Sequence, residues 1–156
     1  MDDSHLRQLL EALEAEGVRY AIFGATALNL LGLPRATQDV DVFLAPEEDN
    51  VARLRRALHR VFDDPHIDEI TAEDLLGAYP AVQYVPPDSG FHVDILTRLG
   101  EAFRFADLET QRIRFADLEV TVVTPRQLYE MKRDTVRWKD RGDAERLRER
   151  FDLKDD

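Results

Sequence analysis

The chain contains no cysteine. A disulfide framework, a thiolate zinc site and a cysteine nucleophile are therefore excluded. No apolar run approaches the roughly 18–20 residues needed to span a bilayer. The opening residues Met1-Asp2-Asp3-Ser4-His5 are acidic and lead into an amphipathic pattern, unlike the basic and then apolar start of a secretory signal. A soluble, cytoplasmic protein with no membrane contact is the expectation. Lysine is scarce as well. Only Lys132, Lys139 and Lys154 stand among the 21 basic residues, and the rest are arginine. Basic residues as a class are outnumbered by 32 acidic ones, giving a formal charge of −11. A surface of that sign does not coat nucleic acid generally.

What remains is ample for a folded unit. At 156 residues the chain fits one domain, and 44% hydrophobic residues can supply its core. No interior stretch is rich enough in Gly, Ser and Pro to mark a linker. Residues 1–156 are therefore expected to form a single domain: a helix over 4–16, a core over 18–123 and a helical segment over 125–153. Charge is uneven along it. Residues 1–125 carry 11 basic and 23 acidic side chains, residues 126–156 carry 10 and 9. Contacts with phosphate are thus expected toward the C-terminal segment.

Periodicity predicts the elements. Leu6, Leu9, Leu10 and Leu13 recur at helical spacing, with Ser4 as N-cap and Gly17 as a stop. A strand over 18–23 ends at Gly24, and a short helix over 25–31 ends at Gly32. Residues 39–44 alternate as a strand. A helix follows from Pro46, with Val51, Leu54, Leu58 and Val61 as its buried stripe, until Asp63-Asp64-Pro65 breaks it. A short helical segment is expected over 71–77. Strands are predicted at 82–85 and 91–96 around the turn signal Pro86-Pro87-Asp88-Ser89-Gly90. Residues 113–115 and 120–123 read as a hairpin across 116–119. Pro125 opens the C-terminal helices. The hexamer Arg-Phe-Ala-Asp-Leu-Glu occurs at 104–109 and again at 114–119; two copies do not make a repeat architecture.

Asp39 and Asp41 sit two apart on a predicted strand, so both project from one face while Val40, Val42 and Leu44 face the core. Two carboxylates that close repel each other unless a cation lies between them. Oxygen donors of this kind suit Mg²⁺. An exposed Asp pair on a half-buried strand is the plainer alternative. Asp94 lies on another predicted strand between Val93 and Ile95. If the two strands are neighbours, three carboxylates share one face and can hold one or two metal ions for phosphoryl or nucleotidyl transfer.

Gly24-Ala25-Thr26 lies where a strand meets a helix, a place where backbone N–H groups can receive an anion. The stretch has neither a Walker nor a G-x-G-x-x-G spacing, and an ordinary turn is equally compatible. Arg35 can meet a phosphate through its planar fork, and Thr37 can hydrogen-bond beside the carboxylates. Lys132 stands out in a chain that uses arginine almost everywhere; an ammonium suits a triphosphate. Asp140 and Asp143, three apart, can share a helix face and orient Lys132 or bind an acceptor. His92 shares the strand face of Asp94. Trp138 and Tyr129 offer rings for base stacking, with core packing as the alternative.

The run from Tyr20 to Gly32, followed by Arg35-Ala36-Thr37-Gln38-Asp39-Val40-Asp41-Val42, resembles the minimal nucleotidyltransferases of the DNA polymerase β-like superfamily, in particular the AbiEii-type branch of nucleotidyltransferase toxins. That pattern is a hydrophobic strand, Gly-Gly or Gly-Ser, a short helix, then Arg-x-Thr-x-Asp-x-Asp. Its later carboxylate matches Asp94, and its C-terminal Lys, Arg, Lys-Asp and Asp match Lys132, Arg137, Lys139-Asp140 and Asp143. The resemblance spans roughly residues 18–147. It departs at Ala25, which stands where the family has a second Gly or a Ser. The resemblance implies an α/β fold with a mixed sheet of about four or five strands flanked by helices. It implies Mg²⁺-dependent (or Mn²⁺-dependent) transfer of a nucleoside monophosphate from an NTP to an acceptor hydroxyl on RNA, such as tRNA, or on protein. Asp39, Asp41 and Asp94 would bind metal. Lys132 would contact the triphosphate. Gly24, Ala25, Thr26, Arg35, Thr37, Asp140 and Asp143 would form the nucleotide site. A toxin role would imply an antitoxin partner. Two alternatives stand beside this reading: a non-catalytic nucleotide- or partner-binding module of the same fold, and a metal-dependent glycosyltransferase, which also uses Asp-x-Asp.

Overall fold

The computed structural model describes residues 3–33, 39–78, 80–87, 90–99, 102–133 and 138–154, excepting the side chains of 3 and 138–140. Arg35, Thr37 and Arg137 therefore lie outside the described residues, as do the side chains of Trp138, Lys139 and Asp140.

Six of the strands join one mixed sheet in the order β3-β4-β2-β1-β8-β7. They are β1 (Tyr20–Phe23), β2 (Asp39–Leu44), β3 (Ala81–Tyr84), β4 (His92–Leu96), β7 (Thr110–Phe115) and β8 (Leu118–Val123). A separate two-stranded sheet pairs β5 (Arg98–Leu99) with β6 (Phe103–Arg104). The main sheet is thus wider than the four or five strands expected. The 110–123 hairpin adds its outer strand β7 at one edge.

Strand β2 runs antiparallel to β1 and parallel to β4, and β1 runs parallel to β8. Alternation decides the faces. Val40, Val42, Val93 and Ile95 are at most 1% exposed, whereas their chain neighbours Asp39, Asp41, His92 and Asp94 are half-buried. Burying four β-branched side chains on one face fixes the register, because a one-residue slip would exchange the faces.

Helices cover the sheet. Helix α1 (Asp3–Ala15) buries Leu6, Leu9, Leu10 and Leu13 and packs on α3 (Glu48–Val61), which buries Val51, Leu54, Ala57 and Leu58. Val61, expected in that stripe, is only partly buried. Helix α2 (Gly24–Leu30) follows β1 directly, and α4 (Ala72–Leu75) is a single turn before β3. Helices α5 (Pro125–Arg133) and α6 (Trp138–Phe151) pack on each other after β8. Among the described residues, no helix is long and apolar enough to cross a membrane.

The hairpin turn is tighter than the sequence suggests. Phe115 pairs with Leu118, leaving Ala116 and Asp117 as a two-residue turn with Ala116 at φ +55. Hairpin turns with positive φ favour Asn, Asp or Gly, so an alanine there gives little signal. Arg7 of α1 grips Asp117 through both carboxylate oxygens, at 2.7 and 2.8 Å.

Candidate active site

One cross-strand row gathers the candidate carboxylates. Phe23 pairs with Asp41, Asp41 with Asp94, and Asp94 with Gln83. Four strands thus place Phe23, Asp41, Asp94 and Gln83 side by side on one face. Neighbouring strands lie about 4.8 Å apart, so the Asp41 and Asp94 carboxylates emerge as immediate neighbours. Asp39 pairs with His92 on the next row of the same face, and His92 Nδ1 lies 3.1 Å from Asp39 Oδ1. Gln83 Nε2 donates to Asp94 Oδ1 at 3.0 Å.

Gly24 shapes the wall beside Asp41. It lies at φ +69, the left-handed region that L side chains rarely adopt. A Cβ built on it would stand 2.0 Å from Asp41 Oδ2 and 2.7 Å from its Cγ. The carboxylate therefore occupies the space that any other residue at 24 would fill. Phe23, the N-cap of α2, provides no side-chain acceptor for the first-turn N–H groups, and that turn holds no acid. Thr26 is fully buried, and its hydroxyl donates to the Asp39 carbonyl at 2.8 Å. Its side chain fastens α2 to β2, so only its backbone can serve a nucleotide. Behind the acids on the same face, Phe43 is fully buried against the Phe23 ring, with centroids 5.7 Å apart.

Lys132 belongs to the C-terminal helical pair. On α5 it is buried, and its Nζ meets Asp143 Oδ2 of α6 at 3.1 Å. Their side chains are 9% and 4% exposed. This is an ion pair between two helices. Tyr129 is 2% exposed, with the guanidinium groups of Arg126 and Arg133 near its ring. Core packing is the reading the structure supports for it.

The donor chemistry fits a hard divalent cation: carboxylates on adjacent parallel strands, set in register and close to backbone amides. Among the described residues, however, no three His, Asp or Glu side chains are already gathered as a metal-ready cluster. Asp39 turns toward His92, and Asp94 toward Gln83. Gln83 is the residue that sequence reasoning missed. Its signal is the β3–β4 register, which a glutamine on an exposed edge strand does not reveal.

Comparison with known proteins gives the family and the fold. The model of the family "Nucleotidyl transferase AbiEii toxin, Type IV TA system" matches residues 8–154. The chain belongs to the AbiEii nucleotidyltransferase toxin family. No curated protein matches it significantly. Among solved structures, TM1012 of Thermotoga maritima, assigned as a nucleotidyltransferase, is similar with a TM-score of 0.55 at 16% identity, over 94% of this chain and 90% of that one. The antibiotic-resistance factor ANT(2'')-Ia is similar in its solution structure, with a TM-score of 0.57 at 14% identity, over 95% of this chain and 83% of that one. Its crystal structure with adenylyl-2''-tobramycin gives 0.55 at 13%, over 95% and 88%. At such identities these likenesses speak for the nucleotidyltransferase fold.

Proposed function

We propose that this chain is a Mg²⁺-dependent nucleotidyltransferase that moves an NMP from an NTP to an acceptor hydroxyl, acting as a single domain. The observation that carries the reading is the row Asp41–Asp94 on adjacent strands beside a glycine whose missing side chain makes room for Asp41. Asp39, Asp41 and Asp94 would hold the metal, with Mn²⁺ as a substitute. When bound, the ion neutralises triphosphate charge and favours departure of pyrophosphate. Asp94, set on the outer side of the row, accepts the proton of the attacking hydroxyl. The backbone from Gly24 through Ala25 to Thr26 receives phosphate oxygens, Arg35 and Thr37 reach the same phosphates, and Lys132, oriented by Asp143, supports the triphosphate with Asp140 nearby. The hydroxyl attacks the α-phosphorus, the bond to the bridging oxygen breaks, and pyrophosphate leaves.

The family and the acid row together support a toxin whose acceptor is RNA, such as a tRNA end, or a protein hydroxyl, and which is held in check by an antitoxin in the cytoplasm. The test is incubation with each α-labelled NTP, Mg²⁺ and total RNA or lysate protein. Label transferred to one acceptor class by the native chain, and lost in Asp41→Ala, is the expected result. NTP binding without transfer would leave a nucleotide-binding module of the same fold.

A further inference from the structure

Asp94 is reached by a neutral donor from the edge of the sheet. Gln83 stands on β3, whose outer side has no strand partner among the described residues. The strand is nevertheless anchored. Tyr84 is buried, donates its hydroxyl to Asp64 Oδ2 at 2.8 Å and packs edge-on against Phe62. Register then sets Gln83 opposite Asp94, and its amide donates to one carboxylate oxygen at 3.0 Å. Since an ionised carboxylate only accepts, the amide nitrogen must be the group that faces it.

We infer that Gln83 is a positioning residue for Asp94. The amide hydrogen-bonds one oxygen of the carboxylate, which favours orientations that leave the second oxygen open. An arginine there would hold the group as firmly but would cancel its charge, weakening it both as a ligand and as a proton acceptor. The glutamine orients without neutralising. This inference rests on the reading that Asp94 serves nucleotidyl transfer. Groups that orient a reacting or metal-binding side chain commonly contribute about 10–100-fold when removed.

The experiment uses the full chain with Gln83→Met, which keeps length and apolar bulk but has no donor, and Gln83→Arg, which donates and neutralises. In Gln83→Met, kcat for NMP transfer should fall roughly tenfold, with KM for the NTP changed less than about twofold and the melting temperature essentially retained. Gln83→Arg should lose at least as much kcat. In the amide spectrum, the Gln83 side-chain signals should move in Asp94→Ala and stay in place in Asp39→Ala, whatever the activity. Native kcat in Gln83→Met, an active Gln83→Arg, or side-chain signals indifferent to Asp94→Ala would each overturn the proposal. A native chain with no transfer would instead overturn the reading on which it rests.

Discussion

At the Tyr20 end of β1, carboxylates meet guanidinium groups; at the Gly24 end they meet an amide and an imidazole. Glu14 accepts from both terminal nitrogens of Arg112, at 3.0 and 2.8 Å, and from the Tyr20 hydroxyl at 2.6 Å. Arg19 pairs with Glu47, and Arg60 with Glu16. A cavity of about 320 Å³ lies beside Tyr20, Arg112 and Phe105; of its charged walls, Arg112 is paired with Glu14 across it and Arg19 with Glu47 outside it. Burial alone would raise the Glu14 carboxyl, but the hydrogen bonds from Arg112 and Tyr20 outweigh it and hold it below the usual carboxylate range. Burial and the bond to Glu14 push the Tyr20 phenol up. At the other end, the Gln83 amide donates to Asp94 and the His92 imidazole lies 3.1 Å from Asp39. The same strand thus joins an end where acids fasten elements together to the end where we propose the transfer chemistry.

The largest expected effect comes from the second end. Asp41→Ala should abolish transfer to background while thermal unfolding stays cooperative, because the carboxylate carries no core packing. The buried Lys132–Asp143 pair tests which end it resembles. Lys132→Met should cost about 3–5 kcal/mol in urea unfolding, by leaving Asp143 buried beside an apolar chain. Lys132→Met with Asp143→Leu should recover most of that stability. Transfer should stay absent in the stable double variant, as the proposed role of the pair at the triphosphate requires; restored transfer would make the pair purely a fastener. Gly24→Ala should lose about 1–2 kcal/mol for its left-handed backbone alone, and activity besides, since its Cβ would collide with Asp41. The smallest effect belongs to the fastened end. Glu14→Gln should cost about 1 kcal/mol at neutral pH with transfer unchanged. A carboxyl with a depressed folded pKa contributes stability above its unfolded pKa and loses it as pH falls through the folded one. The difference between Glu14→Gln and the native chain should therefore shrink in acid unfolding curves.

Much of the carboxylate end was readable before any coordinates. Strand 39–44 was bounded correctly because alternation, β-branching and acids coincide there. The convergence of Asp94 on Asp41 depends on β2 and β4 being neighbours, which the apolar pattern around both acids allows and only the strand pairing decides. Other features depended on tertiary context. The hexamer repeated at 104–109 and 114–119 takes two structures: a 3-10 turn over Phe105–Asp107, and a hairpin whose turn is Ala116-Asp117. Strand pairing and Arg7 decide the second copy, not its residues. Strands β5 and β6 have two residues each and show no period. The burial of Lys132 was invisible because a helical lysine reads as solvated until its partner helix is placed. Gln83 needed the β3 register. Arg35, Thr37 and the side chain of Asp140 lie outside the described residues, so their place in the site stays a proposal.

The central claim is that Asp41 and Asp94 act together on a divalent ion beside the Gly24 turn. Mn²⁺ uptake in the presence of a non-hydrolysable NTP, followed by electron paramagnetic resonance, tests it without any acceptor. The native chain should bind Mn²⁺ with nucleotide, and Asp41→Asn and Asp94→Asn should each weaken that binding severely. Equal uptake by all three proteins would contradict the account.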